Sequence, residues 1–191
     1  MNTAQVTASA ALAAACALSN SGTAVFLSGT MPATPETALS GNTTLDTATY
    51  SATAYGAPSF SSGNMVATAS FTGTSNPVAN GGCTFVRGYK SDGTTATGDY
   101  TVGSAHIVSN VAAVGQYCTN AGNTYIVASV TGDAKTGAAS PPTGTGSGIV
   151  DGNVTWNYVG AGQLFDVLMG NCNVQVGVAI TCTQTMKMPA V

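Results

Sequence analysis

The sequence predicts a mainly β fold: a β-sandwich, jelly-roll-like, with an N-terminal α-helix and a small inserted β-module. Three observations carry this expectation. Val174-Gln-Val176-Gly-Val178-Ala-Ile180-Thr-Cys182 alternates large apolar with small or polar residues without an error. Such period-two alternation places every large side chain on one face of an extended strand. Asp92-Gly93 and Asp151-Gly152 supply the pairs that favour positive φ in turns between antiparallel strands. Only 6% of the 191 residues are charged, while Thr and Ser, which suit the solvent-facing positions of strands, are abundant.

The elements follow in chain order. Residues 3–18 read as a helix, an Ala-dominated run stopped by Asn20 and Gly22. Val6, Ala10, Ala13 or Ala14, and Ala17 are expected to line a narrow face against the sheet. A secretory or lipoprotein leader ending at Cys16 is the competing reading. A leader needs a basic amino-terminal region, and the first basic residue of the chain is Arg87. The apolar run also falls short of the ~20 residues that span a bilayer, so no membrane partner is expected. Residues 23–28 read as a strand, followed by a Pro-punctuated loop over 29–36. Residues 47–55 alternate weakly and 55–60 form a crossing loop. A second strand covers 65–71, a turn region 75–82 and a third strand 83–90. The Asp92-Gly93 hairpin then returns through 95–102.

From about Gly103 the texture changes. Residues 106–114, 115–119 and 123–128 read as short strands around a tight Asn120-Ala121-Gly122 turn. Residues 134–148 are a low-complexity Gly/Thr/Pro/Ser loop without core formers. Residues 151–160 close the segment as an aromatic strand. In it Trp156, the single tryptophan, anchors an expected mini-core with Tyr117, Tyr125 and Tyr158. Residues 163–169 lead into the terminal strand. The layout is therefore discontinuous, with a host domain over 1–103 and 161–191 and a module over 104–160. At about sixty residues, the module is near the size at which an independent core is marginal.

Composition bounds the partners. A net charge of −3, with Arg87, Lys90, Lys135 and Lys187 scattered, gives no electrostatic grip on nucleic acid, which needs clustered Lys and Arg. Few charges also mean weak solubilising self-repulsion. Desolvating charge is a large penalty at an interface, so this composition favours a subunit of a dense assembly over an isolated surface protein. The five cysteines, Cys16, Cys83, Cys118, Cys172 and Cys182, are odd in number and lack CxxC spacing. That fits neither a complete disulfide framework nor a zinc site. They are expected as small buried hydrophobes, with a single Cys172–Cys182 disulfide left open.

Several stretches together resemble a family of small bacteriophage virion structural proteins. They are the Ala-rich helix, Val25-Phe26-Leu27-Ser28-Gly29-Thr30-Met31-Pro32, Met65-Val66-Ala67-Thr68-Ala69, Phe85-Val86-Arg87-Gly88-Tyr89-Lys90-Ser91-Asp92-Gly93-Thr94, and an alternating strand over 174–188. The inserted piece carries Gly115-Gln-Tyr117-Cys118, Gly122-Asn-Thr-Tyr125 and Asp151-Gly152-Asn-Val154-Thr155-Trp156-Asn-Tyr158-Val159-Gly160. It is similar to β-modules of phage tail, fibre and decoration proteins. The resemblance implies a non-enzymatic virion protein assembled in the bacterial host cytoplasm. Its implied role is capsid decoration or cement, as a homo-oligomer bound to the major capsid protein or other virion proteins. A head–tail connector, or a tail or fibre component, is the alternative. In relatives of this pattern, the Asp-Gly hairpin runs into the terminal strand with no large module between.

The residues that could carry chemistry do not assemble into a catalytic pattern. His106 is the only histidine and no Gly-x-Ser-x-Gly occurs, so His106 is expected to be structural or solvated. Nothing makes Glu36 converge with Asp46 as a carboxylate pair. Asp92, Asp133 and Asp151 are turn residues first, without the dense acidic alternation of a calcium loop. Gly144-Thr-Gly146-Ser-Gly148 lacks the Lys of a phosphate loop. No catalytic residue, metal or cofactor is therefore expected. Trp156, Tyr158, Tyr125 and Tyr117 also admit a glycan-stacking patch, as in a carbohydrate-binding module for host-surface glycans. The mini-core is preferred, because one face must fill so small a module. Val174, Val176, Val178, Ile180 and Cys182 form the expected assembly strand, which could add to a neighbouring subunit.

Overall fold

The computed structural model describes residues 3–72, 77–139 and 141–190. Ser75 and Asn76 of the expected turn, and Ser140 of the low-complexity loop, lie outside them. The chain is mainly β, with one amino-terminal helix and a large mixed sheet in a β-sandwich-like arrangement. Helix α1 (Thr3–Ala17) is followed by β1 (Thr23–Ser28), β2 (Thr43–Thr49), β3 (Ser59–Ser61), β4 (Asn64–Thr72), β5 (Gly81–Gly82), β6 (Phe85–Tyr89) and β7 (Ala96–Ala105). Then come β8 (Tyr117–Asn120), β9 (Asn123–Val130), β10 (Ile149–Asp151), β11 (Val154–Ala161), β12 (Val167–Met169), β13 (Asn173–Val174) and β14 (Thr181–Pro189). Residues 106–114, expected to contain strand, hold only an isolated bridge from Val111 to Lys135.

β7 is the joint between the layers. Its first half pairs antiparallel with β6, which continues to β1 and β2. Its second half changes neighbours: Val102 and Gly103 run parallel to β12, and residues 103–105 run parallel to β8. The Phe165 ring lies so close over Gly103 that a Cβ there would come within 2.7 Å of it. From β7 the sheet extends one way through β8, β9, β11 and β10, and the other way through β12, β14, β4 and β3. One sheet thus crosses the 103/104 position. A strand that serves two sets of neighbours lets the layers turn a corner and enclose a core. The larger core gathers Leu12, Phe26, Leu45, Met65, Val86, Val102 and Met169; a second one gathers Ala112, Cys118, Tyr125, Val127, Val154 and Trp156.

The helix begins and ends close to expectation but turns a different face to the sheet. Ala8, Leu12 and Cys16 are buried, whereas Val6, Ala10, Ala13, Ala14 and Ala17 are exposed. Leu12 is the largest apolar side chain in the middle of the run, and burying it together with Cys16 removes more area from water than any row of alanines. Cys16 Sγ reaches Met186 Sδ at 3.7 Å, seating the helix on β14.

The uninterrupted strand expected over 174–182 is absent. β13 ends at Val174, residues 175–178 form a turn, and β14 starts only at Thr181. Gly177 sits at φ 85° and the Val178 N–H donates to Gln175 O at 3.1 Å. A residue free of Cβ takes that left-handed conformation without strain, so the alternating pattern is broken at its glycine. Val174, Ile180 and Cys182 are buried, but Val176 and Val178 are 51% and 57% exposed. β14 itself is flanked by β12 and β4. It is paired along its length by β4 and over Cys182–Gln184 by β12, so Cys182, the end of the expected assembly strand, lies inside the sheet.

The outer edges are blunted as well. On β2, Leu45 O accepts the Val78 and Ala79 N–H groups, and Asp46 Oδ1 accepts the Thr47 N–H. Beside β10, Gly137 N–H donates to Asp151 Oδ1 and Asn153 N–H donates to Lys135 O. β3 is only 3 residues long. Covered or very short edges are how native sheets resist uncontrolled strand addition.

Arg87 and Asp99 face each other across β6 and β7, with side chains 4% and 6% exposed. Arg87 Nε and Nη2 donate to the two carboxylate oxygens at 2.7 Å each, and Nη1 donates to Thr37 O at 2.8 Å. This fork ties the Pro-rich loop to the sheet. Asp99→Ala, which strands a buried guanidinium, is expected to lower stability by about 3–5 kcal/mol in urea unfolding. A loss under about 1 kcal/mol would mean that the pair behaves as a solvated one.

Candidate functional site

Two features stand out: a buried polar hub within residues 104–160, and an apolar groove where that region meets residues 28–31 and 81–84. The hub is Asp151. Its Asp-Gly pair does make a turn, with Gly152 at φ 64°, but the carboxylate points inward and its side chain is 0% exposed. Oδ2 lies 2.7 Å from His106 Nε2 and accepts from Trp156 Nε1 at 3.2 Å, while Oδ1 accepts from Gly137 N–H at 2.7 Å. The His106 and Trp156 rings meet edge to face at 6.4 Å between centroids. One carboxylate thus fastens three segments that are distant in sequence. Among the described residues, no hydrogen bond joins a serine, threonine or cysteine side chain to His106, and no group of three His, Cys, Asp or Glu side chains is placed to hold a metal ion. The arrangement holds structure together through hydrogen bonds to a fully buried carboxylate.

The predicted aromatic residues separate into two sets. Trp156 and Tyr125 are 3% and 1% exposed. Tyr158 is half-buried against Tyr125, with ring centroids 5.9 Å apart and edge to face. Tyr125 OH donates to Gly144 O at 3.1 Å, pinning the low-complexity loop. Tyr117 is not part of this cluster; it rests on Phe165 at 6.0 Å. The pleat of β8 explains the split, since Cys118 points into the second core and its neighbour must point out. With Trp156 inside, the ring proposed for sugar stacking is not accessible to a glycan.

Beside Tyr117 runs a groove of about 670 Å³ between residues 28–31 and the β8–β9 surface, floored by Gly81 and Gly82. Met31, Val114, Tyr117 and Ile126 give it apolar walls, and no charged side chain lines it.

The distribution of charge is the other surface property. Of the 4 basic and 7 acidic residues, Arg87, Asp46, Asp99 and Asp151 are buried. Asp166 is half-buried, its Oδ2 accepting from Thr101 N–H and Oγ1 at 2.9 and 2.7 Å. One positive and four negative groups make −3, the whole formal net charge of the chain. Lys90 is half-buried too, and the five exposed charged residues, Lys135, Lys187, Glu36, Asp92 and Asp133, sum to −1. Around them stand exposed apolar side chains, among which Val78 and Val150 are each 72% exposed.

All five cysteines are free and buried, including Cys172 and Cys182, the pair considered for a disulfide. Cys182 Sγ instead donates to Phe71 O at 3.3 Å. Burial pushes the Cys118, Cys172 and Cys182 thiols up to about 12, and raises Cys16 and Cys83 as well.

Comparison of the chain with protein-family models, with curated proteins and with solved structures found no match in any of the three. Among the described residues, no helix is long and apolar enough to cross a membrane. The Asp151 hub is what sequence reasoning missed. The only available signal was an acidic residue between Val150 and Val154 in a chain with a single His and a single Trp, and a turn reading accounted for it equally well.

Proposed function

We propose that the chain is a non-enzymatic structural subunit of a bacteriophage virion, a capsid decoration protein that cements the coat lattice. It would pack neutral, shape-matched faces against the major capsid protein and against further copies of itself. The observation that carries this reading is the surface, where only five charged residues are exposed, with a net charge of −1, while Val78, Val150, Val176 and Val178 stand in solvent. Such a surface loses little on desolvation and gains by burying apolar area. The blunted sheet edges direct association to faces and away from strand addition. The resemblance of the sequence to small bacteriophage virion structural proteins, decoration-like or tail-associated, supplies the particle.

Copy number tests it. Cryo-EM of the particle carrying this chain, with quantitative mass spectrometry, is expected to find on the order of hundreds of symmetrically placed copies on the coat. A dozen or fewer at the neck or tail would replace this role with that of a connector or tail component. Interfaces without charge pairs are also insensitive to screening. Affinity for particles stripped of the chain should therefore change by less than about threefold between low and moderate salt, and a steep loss over that range would count against the neutral-interface mechanism.

A further inference from the structure

Cys83 and Cys172 oppose each other at the end of the short ladder between β5 and β13. The register pairs Val174 with Gly81 and Asn173 with Gly82, and one further step brings Cys172 opposite Cys83. The Cys83 N–H donates to Cys172 O at 2.7 Å, one of the two bonds that an opposed antiparallel pair exchanges. Opposed residues of antiparallel strands project their side chains on the same side. Their Cα atoms at a hydrogen-bonded position lie about 5.5 Å apart, inside the roughly 4.4–6.8 Å that a disulfide spans.

The backbone here is also held in place. Gln116 Nε2 reaches across from the start of β8 and donates to Cys83 O at 2.9 Å and Cys172 O at 3.2 Å. Both cysteines are buried, at 0% and 3% exposure. Burial is the main cause of the raised Cys83 thiol. Cys16 and Cys182 are directed to Met186 and to Phe71 O, and Cys83 Sγ donates to Phe85 O, two residues on, at 3.5 Å, a contact that the thiol would give up on pairing. Cys118 borders the same small cavity as Cys172 but approaches from β8, outside the ladder.

We propose that Cys83 and Cys172 form a cross-strand disulfide when the chain meets an oxidising environment, a covalent latch between the segment entering the 104–160 region and the segment leaving it. The two thiols give up two protons and two electrons to a disulfide oxidant such as glutathione disulfide. One S–S bond forms in the protein, one breaks in the oxidant, and two glutathione thiols leave. The latch stands independently of the virion reading. Under that reading it closes after release from the reducing host cytoplasm.

Peptide mapping tests it. The full chain is reduced, denatured, refolded in a glutathione redox buffer, alkylated and digested without reduction. The expected result is a linked pair of peptides carrying Cys83 and Cys172, about 2 Da lighter than the sum of the two thiol peptides. An unfolding midpoint about 10 °C above that of the reduced chain should accompany it, because the bridge closes a long loop. Cys83→Ala should abolish both effects and Cys118→Ala should leave both. Free thiols at both positions in a wild-type chain that has regained its native circular dichroism overturn the proposal. So does Cys172 linked to Cys118 or Cys182.

Discussion

Asp151→Asn is expected to destabilise the 104–160 region by about 3 kcal/mol although it changes neither size nor shape. The carboxylate serves acceptor oxygens to three donors, with Trp156 Nε1 and His106 Nε2 on Oδ2 and the Gly137 N–H on Oδ1. An amide has one oxygen. With its NH₂ at the Oδ2 position it faces both ring donors; flipped, it faces the Gly137 N–H. Either orientation leaves a buried donor against another donor. Trp156 is the single tryptophan and lies in the second core, so its fluorescence reports this region directly during urea unfolding. A midpoint within error of wild type would show that solvent reaches the carboxylate.

Raising the pH through the thiol range is expected to unfold the reduced chain. The unfolded chain holds its thiols at the ordinary value of 9.0, whereas burial pushes Cys118, Cys172 and Cys182 up to about 12. Below pH 9 both states keep these protons and the full stability is present. Between there and pH 12 the unfolded chain releases protons that the folded chain retains, so stability falls as pH rises. Each thiol removes up to about 1.4 kcal/mol per pH unit, so three together over this window remove about 12 kcal/mol, comparable with the roughly 5–15 kcal/mol of a typical domain. Burial of the Tyr50 and Tyr55 phenols acts in the same direction. Thiolate absorbance and circular dichroism should therefore change together in one cooperative step, displaced to higher pH by Cys118→Ala with Cys182→Ala. Smooth thiolate titration near pH 9 in a chain that stays folded would refute it.

What was legible in the sequence depended on whether a local signal had a competitor. The Asp92-Gly93 hairpin was readable because the turn is built from its own residues: Asp92 Oδ1 accepts the Thr94 and Thr95 N–H groups at 2.8 Å each. The Asn120-Ala121-Gly122 turn, with Ala121 at φ 48° and Gly122 at φ 79°, is equally local. The strand expected over 65–71 falls within β4, and the one over 23–28 is β1 itself. The ends of α1 were marked by Asn20 and Gly22, but its buried face was not. The helix carries no charged residue and is apolar almost all round, so only the position of Leu12 on the sheet decides the matter. At 174–182, alternation and a glycine turn gave one pattern two solutions, and tertiary pairing of β13 with β5 selected the turn. The Asp151 hub depends on His106, which lies 45 residues away, and no local pattern encodes a contact of that span. The aromatic cluster was legible as a group except for Tyr117, whose side of the pleat is set by which of its neighbours faces the core.

The interior position of β14 has a consequence for how the polypeptide is made. β4 completes its pairing only with residues such as Cys182, which contacts Phe71 across a separation of 111 residues. A chain leaving the ribosome in order therefore carries two unclosed half-sheets until this late strand inserts between them. Pairings so remote in sequence form slowly, and the waiting species displays open strand edges and apolar surface of the kind that chaperones hold. The speed of that final insertion sets how quickly newly made chains escape aggregation.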